Sequence, residues 1–118
     1  MKKLFLIAAL MFAAVGAFAD DFDMVVQLEQ QAGEKGGFKV RGDKEYGVIF
    51  YDIKLSADTA PASPEELAEA KKEFLKIYRR NAGPNGIAIL KKLSVSLIVN
   101  FIYTDYTILS IVITPDEL

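Results

Sequence analysis

The chain has 118 residues, with 16 Asp and Glu against 14 Lys and Arg, and it contains neither His nor Cys. That composition excludes a histidine general base, a Ser-His-Asp triad, a cysteine nucleophile, disulfides and most zinc sites. A net charge of −2 argues against a dedicated binder of nucleic acid or anionic lipid.

Residues 1–19 read as a secretory signal peptide of bacterial type. Lys2 and Lys3 form the charged start, Leu4 to Val15 are almost wholly apolar, and Ala17-Phe18-Ala19 supplies the small-x-small cleavage pattern, with Ala17 and Ala19 as its small residues. Removing these 19 of the 118 residues leaves 99, takes away two lysines and no acid, and moves the net charge to −4. The mature chain, 20–118, is expected to form one domain in the periplasm or outside the cell.

In residues 20–31, Phe22, Val25, Val26 and Glu29 follow helical spacing, while Met24, Val26 and Leu28 alternate as in a strand. Acids at the start and Gly33 after Ala32 favour a short N-terminal helix. The glycines of 33–37 predict a loop, Phe38 to Val40 a short strand, and Arg41-Gly42-Asp43-Lys44 a turn. Turn chemistry by itself explains the Arg-Gly-Asp tripeptide. Tyr46 to Leu55 reads as a strand, with Ile49, Tyr51, Ile53 and Leu55 on one face and Val48 and Phe50 beginning the other.

Ser63-Pro64-Glu65-Glu66 is the clearest local signal in the chain. Ser63 can cap a helix, Pro64 suits its first position, and Glu66 can complete a capping box. The predicted helix runs over about 64–80, with an apolar stripe at Leu67, Ala70, Phe74 and Ile77, and ends at Asn81-Ala82-Gly83-Pro84. Ile87 to Leu93 is a connector with room for one helical turn, and it feeds the hairpin.

Leu93 to Thr114 reads as two runs of Val, Ile, Leu, Phe and Tyr around Thr104-Asp105-Tyr106, an antiparallel hairpin. A three-residue turn places Phe101 opposite Leu109 and joins the two more apolar faces, so that register is expected. The same stretch is long enough to cross a bilayer, but Asn100 and Asp105 would lie inside it, and an Asp near a helix centre costs about 2.5–3.5 kcal/mol. Lys91-Lys92 would also lie on the exported side, so no stable span is expected in the mature chain.

The predicted fold class is α+β: a three- to four-stranded antiparallel sheet with a C-terminal hairpin, the 64–80 helix packed on one face, and the short N-terminal helix. The expected core is Ile49, Tyr51, Ile53, Leu67, Phe74, Ile77, Leu97, Val99, Phe101, Leu109, Ile111 and Ile113. The second sheet face keeps Val48, Phe50, Ile98, Ile102, Ile108 and Val112. With Tyr106 at the hairpin tip, these form the candidate interface. Tyr46, Tyr78 and Tyr106 are the tyrosines expected at the surface, and Tyr51 and Tyr103 those expected in the core.

No residue is assigned to catalysis, a cofactor or a metal. The glycines match no phosphate-binding loop. Asp20, Asp21 and Asp23 lack EF-hand spacing and read as an exposed helix start. Asp52, Asp105 and Glu45 could serve as acid–base carboxylates by residue type only. The basic residues of the 64–80 helix, with Lys91 and Lys92, are interleaved with acids and read as a solvated, ion-paired face. Asp116-Glu117-Leu118 reads as a solvated tail.

The reading that follows is a small exported, non-catalytic protein that works by binding another protein or itself. A small-molecule or lipid carrier, with its pocket between helix and sheet, is the alternative. Signal removal is directly measurable: the intact mass of protein recovered from its exported compartment should begin at Asp20, and a mass retaining residues 1–19 would refute the cleavage site.

Overall fold

A computed structural model describes residues 21–56 and 60–118. The signal segment, with Ala17 and Ala19, lies outside the described residues. The element order is α1 (Asp21–Gly36), β1 (Lys39–Asp43), β2 (Val48–Lys54), α2 (Pro64–Lys92), β3 (Ser96–Ile102), β4 (Ile108–Ile113) and a 3-10 turn at Pro115–Glu117. The four strands form one sheet in the order β1-β2-β3-β4, and the fold is α+β.

The sheet is mixed rather than purely antiparallel. β1 pairs antiparallel with β2, and β3 with β4, but β2 and β3 run parallel. The correction follows from α2. A helix laid between two neighbouring strands carries the chain back to the end where the first strand began, so the second must run the same way.

α2 begins as its sequence dictates. Glu66 N–H donates to Ser63 Oγ at 3.2 Å and Ser63 N–H to Glu66 Oε1 at 2.8 Å, with Pro64 in the first turn. The predicted stop is also present, as a kink. Gly83 leaves the helical region at φ 73°, ψ 173°, and Pro84 follows it as the start of a second helical segment. Residues 84–92 are therefore helical, where 87–93 were expected to form a connector. The buried stripe runs Ala70, Phe74, Tyr78 and Ala82, not through Ile77. Spacing of four residues rather than three turns Tyr78 inward, and the tyrosine expected at the surface is 1 % exposed.

α1 is longer than its glycines suggested. It passes through Gly33 and stops at Gly37, whose φ of 81° is the left-handed position that ends many helices. The Gly33 carbonyl accepts from both Gly37 N–H and Phe38 N–H. The expected turn at Arg41 to Lys44 is shifted: β1 runs through Asp43, and residues 44–47 make the turn. Asp43 Oδ1 accepts from Tyr46 N–H there.

The C-terminal hairpin has the expected register. Phe101 faces Leu109, Tyr103 N–H donates to Thr107 O, and Tyr106 sits at φ 70°. Both helices cover one face of the sheet. Between them lie Ile49, Tyr51, Leu97, Val99, Phe101, Ile111 and Ile113, all buried, with Ile53, Leu67 and Leu109 half-buried against them. The chain end is not a solvated tail. Leu118 is buried, Lys71 Nζ lies 2.7 Å from Glu117 Oε2, and Arg79 donates to the Glu117 carbonyl. The Glu117 carboxyl is held down at about 2, first by Lys71 and then by the Thr114 N–H.

Gly83 occupies a backbone region that L-residues rarely enter. Gly83→Ala should lower unfolding free energy by about 1–3 kcal/mol in urea denaturation, although no atom blocks the added methyl.

Candidate functional site

Strand alternation decides what the second face of the sheet carries, and the registers align its residues in rows. One row is Arg41, Phe50, Ile98 and Val112; the next is Lys39, Asp52, Asn100 and Ser110; a third is Lys54, Ile102 and Ile108; a fourth begins with Asp43, Val48 and Ser96. Six of the seven candidate interface residues thus share one face that neither helix covers. Tyr106 stands apart at the hairpin tip, 88 % exposed.

The polar row is connected. Asp52 sits between Arg41, whose Nε donates to Oδ2 at 2.8 Å, and Asn100, whose Nδ2 donates to Oδ1 at 2.9 Å. Ser110 Oγ donates to Asn100 Oδ1 at 2.6 Å. Partial burial works to raise the Asp52 carboxyl, but the bonds from Arg41 and Asn100 outweigh it and hold the group below its ordinary range. Arg41 also lies 4.4 Å from the centre of the Phe50 ring, so one guanidinium covers an aromatic face and grips a carboxylate.

Charge on this face is one-sided. Lys39, Arg41, Asp43, Asp52 and Lys54 all lie on β1 and β2, while β3 and β4 present Ser96, Ile98, Asn100, Ile102, Ile108, Ser110 and Val112, none of them charged. Loss of charge around apolar side chains is the compositional mark of an interface core. Val112 and Ile108 are 49 % and 55 % exposed.

The three candidate carboxylates are not brought together. Glu45 lies in the β1–β2 turn and Asp105 in the β3–β4 turn. Because β2 and β3 are parallel, those turns sit at opposite ends of the sheet, with Asp52 between them. In the Arg-Gly-Asp stretch, Arg41 and Asp43 are on the open face, while Gly42 faces Phe22 and Val26 of α1. Asp23 is 4.0 Å from Lys44 in an exposed ion pair. Among the described residues no group of three metal-ligating side chains exists, and no helix is long and apolar enough to cross a membrane.

On the covered face, chemistry appears where none was expected. Glu29 of α1 is fully buried, Tyr51 O–H donates to its Oε1 at 2.7 Å, and its Oε2 has no partner. The Tyr78 hydroxyl stands 3.4 Å from that of Tyr51. The single hydroxyl hydrogen of Tyr51 is donated to Glu29, so the Tyr78 O–H is the donor in this longer contact. Burial pushes the Glu29 carboxyl up from 4.5 to about 7 against the opposing hydrogen bond from Tyr51. Burial likewise lifts both tyrosines well above their ordinary value. The helical spacing of Glu29 with Phe22, Val25 and Val26 is the one sequence signal that could have found it: an acid standing on an apolar stripe.

Comparison of the chain with protein-family models, with curated proteins and with solved structures finds no match.

Glu29 makes stability depend on pH with a definite sign. A carboxyl that is raised in the folded state contributes stability that is full below about pH 4.5 and is lost as pH rises through about 7. The whole effect is at most about 3 kcal/mol. Glu29→Gln should match the native chain near pH 4 and exceed it by about 1–3 kcal/mol near pH 8 in urea denaturation. Parallel curves for the two proteins would show that Glu29 is not protonated in the fold.

Proposed function

We propose that this protein is a small exported, non-catalytic binding module that docks a protein partner on the open face of its sheet, self-association being the simplest form. The observation that carries the reading is the uncharged half of that face, where Ile98, Ile102, Ile108 and Val112 lie together, covered by neither α1 nor α2. Exposed apolar groups gathered on one face favour a partner that removes them from water. Arg41 and Asp52 supply a charged border on one side, which suits a rim more than a centre.

The absence of His and Cys and the separation of Glu45, Asp52 and Asp105 support a non-catalytic role. Export rests on the N-terminal segment alone. The carrier alternative draws less support, because the rings of Tyr51, Phe74 and Tyr78 pack against one another where α2 meets the sheet, with centroids 5.6–6.4 Å apart.

Ile98 is half-buried at the middle of the open face, so a lysine there should disturb docking more than folding. The native mature chain, cross-linked in its own cell envelope, should yield a defined partner or its own dimer, and Ile98→Lys should reduce that yield at least about tenfold. A native chain that is monomeric and cross-links to nothing would refute the reading.

A further inference from the structure

The two edges of the sheet are treated differently. At the β1 edge, Lys39, Arg41 and Asp43 place charges along the strand, α1 packs beside it, and Gln30 Nε2 donates to the Val40 carbonyl at 3.2 Å. These are devices that stop an edge from pairing further. β4, Ile-Leu-Ser-Ile-Val-Ile, also has a helix near it, α2, but it carries no charge and no proline, and no strand lies beyond it among the described residues.

The direction of the β4 backbone groups follows from two hydrogen bonds. Tyr103 N–H donates to Thr107 O, while Ile102 O accepts from Leu55 N–H on the other side of β3. Alternate residues aim opposite ways, so Leu97, Val99, Phe101 and Tyr103 bond toward β4, and their partners Ile113, Ile111 and Leu109 bond back. The N–H and C=O groups of Ile108, Ser110 and Val112 therefore point out of the sheet, and all three residues are exposed.

We propose that a second copy of this chain pairs with β4, antiparallel and centred on Ser110, joining two four-stranded sheets into one of eight. The register is self-complementary. A two-fold axis at Ser110 sets Ser110 against Ser110 of the second copy and Ile108 against its Val112. Every outward N–H of these residues then meets an outward C=O, and no charge opposes a like charge. The open face continues across the junction. The apolar row Phe50, Ile98, Val112 runs on into Ile108 and Ile102 of the second copy, and the Asn100–Ser110 hydrogen bond repeats on either side of the axis. This pairing rests on the reading of the protein as a binding module that self-associates; it seats the second copy at the sheet edge, doubles the open face and leaves that face available.

Because the axis passes through residue 110, a charge placed there confronts itself. In sedimentation of the mature chain, the native protein should be a dimer. Ser110→Lys and Ser110→Asp, each folded by circular dichroism, should each weaken the dimer at least about tenfold, and an equimolar mixture of the two should restore it. A second variant keeps the test independent of those two folding. Hydrogen-bonded antiparallel neighbours stand about 5.5 Å apart at Cα, within disulfide range. Ser110→Cys, in a chain otherwise free of thiols, should oxidise to a covalent dimer, and Ile108→Cys should not. A monomeric native chain, a dimer indifferent to both charged variants, or equal cross-linking at 108 and 110 would overturn the pairing. If Ile98→Lys still abolishes partner capture in any of those cases, the open-face reading stands and only the edge pairing falls.

Discussion

Parallel pairing of β2 with β3 obliges the chain to travel the length of the sheet between Lys54 and Ser96, and α2 is the element that does so. Much of the rest follows from that crossover. α2 packs on the covered face, nearest β4, and Phe74 and Tyr78 reach across to Tyr51 and bury the middle of the core. The two hairpin turns are sent to opposite ends. The chain end then folds back on α2, where Lys71 and Arg79 hold Glu117. The kink at Gly83 belongs to the same constraint. It lets one connection use two helical segments, with Ala82 buried before the break and Gly86 and Leu90 after it.

Placing both helices on one side makes the two faces of the sheet chemically different. The covered face is apolar except at Glu29, whose buried carboxyl is tolerated because Tyr51 supplies one hydrogen bond and because a proton can neutralise it. The open face is apolar only in part, and its polar residues are linked to one another across the strands: Arg41 to Asp52, Asp52 to Asn100, Asn100 to Ser110. Such a ladder satisfies polar groups on a face that neither α1 nor α2 covers. Four of the six apolar side chains picked out on this face, Ile98, Ile102, Ile108 and Val112, stand on β3 and β4, beside the edge that lacks charge.

The element types and the hairpin register were legible in the sequence because they depend on local rules. Ser63-Pro64-Glu65-Glu66 satisfies helix-start chemistry within four residues. The alternation around Thr104-Asp105-Tyr106 pairs Phe101 with Leu109, because any one-residue slip would turn the apolar set toward water. The same alternation picked out Val48, Phe50, Ile98, Ile102, Ile108 and Val112 as residues of one face. Their gathering into rows needed only that β2 and β3 be neighbours.

Other features depended on contacts between residues distant in the chain, which no local pattern encodes. Tyr78 and Ile77 are adjacent on α2, and only the angle at which the helix meets the sheet decides that Tyr78 goes inside. Glu29 is an ordinary acid on a helix until Tyr51, 22 residues away, lies beside it. Direction along the sheet is of the same kind: strand patterns are alike in parallel and antiparallel pairs, and only the path of α2 distinguishes them. From the sequence alone came the elements, their inward faces and the hairpin register, because side-chain period and turn chemistry act over a few residues. The tertiary structure decided strand order, the buried Glu29–Tyr51–Tyr78 cluster and which sheet edge stays open, because those depend on where separate elements come to rest against each other.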